Sequence, residues 1–171
     1  MKPWEKGRVP QNFWSDIENQ RDFLEWLAKK HQVNHFEDWY KVPSKAFPIR
    51  LLKIYGNYHS HILSIHFPEY EWLEWKFVRT PHNFWSSLKN QRRYMDWLGR
   101  ELGFAKLEDW YQVTGDDFRN NYGESLIVRY YNNCFQRAVM EIYNKFGWCG
   151  WLFHSIPDGF WNDINNRKNY T

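Results

Sequence analysis

The sequence predicts an all-α fold: two tandem helical repeat units, each with a helix-turn-helix-like pair, plus a partial third unit. Three observations predict it. A line is written twice and begun a third time, as VPQNFWSDIENQRDFLEWL from Val9, TPHNFWSSLKNQRRYMDWL from Thr80 and IPDGFWNDINNRKNY from Ile156. Apolar residues recur at helical spacing, and no segment alternates with the period of a strand. Gly, Asn and Pro punctuate the apolar runs where helices should stop.

The repeat is extensive. Pro10, Phe13, Trp14, Asn19, Trp26 and Leu27 recur as Pro81, Phe84, Trp85, Asn90, Trp97 and Leu98, an offset of 71 positions. EDWYKV at 37–42 recurs as EDWYQV at 108–113 with the same offset. Further along the offset becomes 76, pairing Tyr55 with Tyr131, Trp72 with Trp148, Trp75 with Trp151 and Phe77 with Phe153. The second copy therefore carries five extra residues between Phe118 and Ile127. The expected organisation is a tail at 1–8, units at 9–79 and 80–155, and a partial third unit or cap at 156–171. The third start reads as a lid on the second unit or as the edge of a longer array, since repeat arrays need capped ends.

The first helix of each unit follows its FW pair. Phe23, Trp26, Leu27 and Lys30 mark the stripe in copy one, and Tyr94, Trp97, Leu98 and Leu102 in copy two, where Gly103 ends the helix. The EDWY segment should form a turn with its aromatics inward. Thr114 with Asp117 offers a capping pair, although Asp is a weaker partner than Glu or Gln. Leu51, Leu52 and Tyr55 mark a short helix, then Gly56 and Asn57 a turn able to take positive φ. A second helix runs from His59 to Phe67 and stops at Pro68. Copy two writes Asn132, Asn133 and Cys134 at that turn, and Asn is the next best residue for it. Two short helices around a three-residue turn resemble a helix-turn-helix.

Composition sets bounds. Aromatics make up 21% of the 171 residues, enough for a dense core. No run approaches the ~18 apolar residues of a membrane span. MKPWEKGRVP lacks the apolar stretch of a secretory signal. Cys134 and Cys149 have no CxxC partner and are expected to be reduced and buried, in an intracellular protein of the nucleus, an organelle or another compartment. The net charge of +3 is mildly basic. Residues 9–79 hold nine Lys+Arg against nine Asp+Glu, and 80–155 hold nine against eight. That balance weakens any purely electrostatic account of nucleic-acid binding.

The pattern P-x-x-FW-x4-N-x3-[FY]-x2-WL, then EDWY, then the Tyr-turn helix and W-x2-W-x-F, resembles a Trp/Tyr-rich tandem helical repeat of largely uncharacterised eukaryotic proteins of fungi, algae and others. The resemblance covers nearly the whole chain. In some of those proteins the repeats precede a domain like the very-short-patch-repair endonucleases, which implies association with nucleic acid. This chain shows no such nuclease domain, and it has SKAFPIRLLKIYG where related units carry a Gly-rich link. The resemblance supplies no catalytic residues.

No constellation points to catalysis. There is no P-loop, no GxGxxG and no recognisable nucleophile motif. Glu37–Asp38 and Glu108–Asp109 are read as turn or cap carboxylates, because a duplicated pair does not suit one catalytic cleft. His59, His61 and His66 are spaced by two and five residues, unlike metal ligands on one helix face, and are read as partly exposed helix residues. Asn19, Asn90 and Asn166 recur among aromatics, so each should hydrogen-bond nearby backbone, for instance the EDWY turn. The aromatics themselves are read mainly as core rather than as base-stacking platforms.

The best functional lead is the second helix of each pair, where the copies differ as Ser60/Gln136, His61/Arg137 and Ser64/Met140. A shared scaffold with differing outward side chains is what base readout requires. Lys53 and Arg129 add phosphate contacts. A patch of Lys29, Lys30, Lys45, Arg50 and Lys53, and another of Arg92, Arg93, Arg100, Arg129 and Arg137, would supply charge. The expectation is a non-catalytic nucleic-acid-binding module, DNA ahead of RNA, with candidate contacts Lys53, Ser60, His61, Ser64, Arg129, Gln136, Arg137 and Met140. The alternative is a protein-interaction scaffold or a structural subunit of a larger assembly. No cofactor, metal, membrane or small-molecule substrate is expected.

Overall fold

A computed structural model describes residues 1–171, and every regular element in it is helical. The chain divides into two compact units, Met1–Pro81 and His82–Thr171. No helix is long and apolar enough to cross a membrane.

Unit 1 contains α1 (Ile17–Lys30), α2 (Ile49–Ile54) and α3 (His59–His66). Unit 2 contains α4 (Leu88–Glu101), α5 (Gly115–Asn120), α6 (Glu124–Tyr130), α7 (Phe135–Ile142) and, in the third start, α8 (Ile164–Tyr170). A 3-10 turn carries FW immediately before α1, α4 and α8. Longer 3-10 segments, Phe36–Lys41 and Leu107–Gln112, carry the EDWY motif.

The helices that follow the FW turns start on side-chain caps. Asp16 accepts from the Glu18 amide, Ser87 from Asn90 and Asp163 from Asn165. Both α1 and α4 end through a left-handed residue that lets the next amide reach back, Val33 to the Ala28 carbonyl and Phe104 to that of Gly99. In unit 2 the left-handed position is Gly103, with φ 74°; in unit 1 it is Gln32, with φ 54°.

The expected turn between the paired helices is present in both units. Gly56 and Asn57 take φ of 67° and 69°, and Asn132 and Asn133 take 51° and 59°. Thr114 and Asp117 form a reciprocal cap on α5, with Thr114 N donating to Asp117 at 2.8 Å and Asp117 N to the threonine hydroxyl at 3.3 Å. The five extra residues of copy two lie here: unit 1 has only a 3-10 turn, Ser44–Ala46, in place of α5.

Each unit has its own aromatic core. In unit 1 it is built from Trp14, Phe23, Leu24, Leu27, Trp39, Phe47, Leu51, Ile62 and Leu63. In unit 2 Trp85, Tyr94, Met95, Leu98, Trp110, Phe118, Leu126 and Val139 are buried. Trp39 and Trp110, from EDWY, lie inside as expected.

A polar network recurs within these cores. Gln20 donates to the Trp14 carbonyl at 2.7 Å and accepts from the Tyr55 hydroxyl at 2.7 Å. Gln91 donates to the Trp85 carbonyl at 2.7 Å and accepts from the Tyr131 hydroxyl. Both glutamines are buried. Asn19, Asn90 and Asn166 donate to the carbonyls of Phe13, Phe84 and Phe160. The asparagines thus hold the FW turn of their own helix and not the EDWY turn. Six residues along the chain bring the amide back over that turn, whereas EDWY lies beyond the helix end.

The segment 1–8 is not a loose tail. Trp4 packs edge-on against Phe23 at 5.5 Å and Trp26 at 5.9 Å. Trp4 precedes Pro10 by six positions, as Trp75 precedes Pro81 and Trp151 precedes Pro157. It is therefore the closing tryptophan of the repeat pattern, written ahead of the first unit. Trp151 meets Tyr170 at 5.5 Å in the third start. There Phe160 lies where a side chain on Gly150 would be, so its ring needs a glycine beneath it. Trp161 and Tyr170 remain exposed at 38% and 62%, while Trp85 and Tyr94, their counterparts in unit 2, are buried.

Candidate interaction surfaces

The helix pairs place the eight candidate contacts unequally. Lys53 on α2 and Arg129 on α6 occupy the same repeat position, and both are exposed with no ion pair. His61 is exposed and donates from Nδ1 to the Tyr55 carbonyl at 3.1 Å. Ser64 is exposed and donates to the His61 carbonyl. Arg137 is exposed but bound to Glu141 at 2.5 Å. Met140 is half-buried.

Ser60 and Gln136 face inward, against expectation, at 3% and 4% exposure. The reason is helical spacing: each lies three residues before a core residue, Leu63 or Val139, and so shares its face. Gln136 donates to the Ser155 carbonyl at 2.6 Å, a structural bond. The Ser60 hydroxyl has no partner. Neither side chain can reach a base edge.

The two basic patches are likewise partly spent. Lys30 lies over the Trp26 ring at 4.8 Å. Arg92 bonds Asp96 at 3.0 Å and covers the Tyr143 ring at 4.3 Å.

The three histidines go to three different environments. His59 is buried, not partly exposed, and its ring lies 5.1 Å from both Phe47 and Phe77. Burial lowers its pKa to about 4. His66 donates from Nε2 to Gln20 Oε1 at 2.7 Å, and burial followed by Arg21 lowers its pKa. Asp38 and Asp109 serve as the expected turn carboxylates. Asp38 accepts the amides of Asn34 and His35, Asp109 those of Ala105 and Lys106, and these bonds hold both carboxyls below their usual range. Cys134 and Cys149 are free but half-buried, not fully buried as expected.

Sequence reasoning missed a cavity of about 720 Å³ in unit 1. It opens between α1 and the EDWY segment, with Leu24, Trp39 and Phe67 in its wall and Arg21, Glu25 and Glu37 at its edge. Phe36 stacks on Tyr70 at 4.8 Å along one side. Glu37 is engaged by the Tyr70 hydroxyl at 2.5 Å and by Lys76 at 3.4 Å. Arg21 turns to Glu18 at 2.9 Å. Glu25 is exposed and has no partner.

The matching residues of unit 2 line two smaller spaces of about 360 and 380 Å³. There Tyr143 stands where unit 1 has Phe67, and its hydroxyl donates to Asp96 at 2.8 Å. Arg92 lies across that ring. The signal available in sequence was the pairing of Phe67 with Tyr143 and of Glu18 with Lys89.

No protein-family model, curated protein or solved structure matches this chain.

Proposed function

We propose that the chain is a non-catalytic protein-interaction scaffold working inside the cell, and that unit 1 receives the partner. The observation that carries this reading is the 720 Å³ cavity of unit 1, at a place where unit 2 lays its own Arg92 across Tyr143 and has two smaller spaces instead. Concave sites with apolar walls and a few polar groups at the edge are where ligands gain most contact. The half-buried free cysteines fit a reducing compartment.

The test is selection of displayed linear peptides on the full chain, repeated with Ala28→Phe, which puts a ring into the cavity from α1. Enriched peptides should lose at least tenfold in retention on the variant. No enrichment, or equal retention by both proteins, sinks the reading.

A second reading rests on the exposed, unpaired Lys53 and Arg129 at one repeat position. They suit phosphate contact by the first helix of each pair, DNA ahead of RNA, with His61, Ser64 and Arg137 beside them. Ser60 and Gln136 drop out of the contact set. Mobility shift with duplex and single-stranded probes at low and moderate salt tests it. The absence of retention on every probe at low salt ends it.

A further inference from the structure

The geometry points to an arginine side chain of a partner protein as the group that enters the unit 1 cavity. This inference rests on the scaffold reading and names the chemistry of its site. Unit 2 supplies the template. Its Arg92 guanidinium lies 4.3 Å over the Tyr143 ring while its Nε bonds Asp96 at 3.0 Å. A planar cation is held between an aromatic face and a carboxylate, both of which suit a guanidinium.

Unit 1 keeps the aromatic face and the carboxylate but not the cation. Phe67 replaces Tyr143 and Glu25 replaces Asp96 at the same repeat positions. Arg21 corresponds to Arg92 but is drawn to Glu18. In unit 2 the residue matching Glu18 is Lys89, which offers Arg92 no such alternative. One charge difference on the outer face of α1 thus accompanies the different course of the arginine in the two units. Phe67 also lacks the hydroxyl by which Tyr143 holds Asp96 at 2.8 Å. Glu25 is left with no partner beside the apolar wall of Leu24, Trp39 and Phe67.

Charge complements the assignment. Of the two carboxylates that edge the cavity, Glu37 is held by Tyr70 and Lys76 and Glu25 is not paired, and the one arginine there is already paired with Glu18. The apolar wall suits the methylene stem of an arginine, which buries its chain while its head stays charged. A neutral or anionic side chain would leave Glu25 unanswered.

The experiment is NMR titration of the full chain, following the Trp39 indole N–H and the amides of residues 34–39. Four probes are used: N-acetyl-arginine methylamide, the neutral isostere N-acetyl-citrulline methylamide, agmatine, and N-acetyl-phenylalanine methylamide. The arginine amide should give saturable shifts, and the citrulline amide should bind at least tenfold more weakly. Glu25→Gln should lower arginine-amide affinity at least fivefold. Glu18→Lys alters an exposed residue outside the cavity. It should weaken the probe at least threefold by freeing Arg21 to occupy the site, a result that damage to the fold cannot mimic while the remaining amide spectrum is unchanged.

No saturable shift with the arginine amide, or citrulline binding as well as arginine, overturns the inference. Agmatine binding tenfold tighter than the amide would assign the site to a free small cation and overturn the partner. If only the phenylalanine amide binds, the cavity still docks a partner: the scaffold reading survives and the arginine assignment fails.

Discussion

The Tyr55 hydroxyl donates a 2.7 Å hydrogen bond to Gln20 Oε1, joining residues 35 positions apart. That one oxygen also accepts His66 Nε2, while the glutamine amide holds the Trp14 carbonyl. Gln20 therefore ties the FW turn, α1, the end of α2 and the end of α3 together. A buried amide bonded through both its nitrogen and its oxygen fixes register more than it adds energy.

Loss of either partner should be unequal. Tyr55→Phe removes one donor and should cost about 1 kcal/mol. Gln20→Leu leaves the Trp14 carbonyl without a donor and two donors without an acceptor, and should cost about 3 kcal/mol. Urea unfolding followed by circular dichroism measures both. The double variant should cost less than the sum, because Tyr55→Phe has little left to remove once Gln20 is gone.

Gln32 offers a stabilising change. It takes φ of 54° where unit 2 has Gly103 at 74°. Only glycine adopts that region without a Cβ penalty, which is about 1 kcal/mol for other residues. Gln32 is exposed, so nothing else is lost. Gln32→Gly should stabilise the protein by about 0.5 kcal/mol after the added freedom of the unfolded chain is subtracted. Urea unfolding should show a higher midpoint with an unchanged slope.

Much of the fold was readable, and the parts that were not have identifiable causes. Trp26 and Leu27, Gly56 and Asn57, and the Thr114–Asp117 pair announce helix, turn and cap through local chemistry. Trp4 was also readable: its spacing to Pro10 equals that of Trp75 to Pro81. It was missed because the repeat was read from its FW line forward. Gln20 and Gln91 adjoin the recurring Asn19 and Asn90, but a glutamine beside an asparagine on a polar helix looks solvated until its tyrosine partner is placed. Ser60 was misplaced by reading copy differences as outward-facing, when the spacing to Leu63 put it inside. The cavity lay furthest from view. It depends on how side chains such as Arg21, Phe36 and Phe67 sit around it, which composition and period do not encode.

The charge on the first helix of each pair separates the two functional readings. Lys53→Gln with Arg129→Gln removes two exposed cations at one repeat position and touches no core residue. If nucleic acid binds there, the double variant should weaken binding similarly on every probe and lower the salt slope by about two. Displayed-peptide retention should be unchanged. Filter binding across a salt series gives both numbers.

His59 makes unit 1 sensitive to acid. Its ring is buried between Phe47 and Phe77, and burial lowers its pKa to about 4 from the ordinary 6.5. The folded protein keeps His59 neutral while the unfolded chain takes up a proton near pH 6.5. The favourable contribution is thus fully present above pH 6.5 and lost as pH falls toward 4. One proton over that interval is worth about 3 kcal/mol at pH 4. His66, lowered by burial and by Arg21, adds loss in the same direction. Unit 2 has Phe135 at the position of His59, 6.1 Å from Phe118. His59→Phe should therefore fold and should flatten the decline of stability between pH 6.5 and 4. Urea midpoints measured at half-unit pH steps report the slope, and an equally steep decline in the variant would assign the acid sensitivity to groups other than His59.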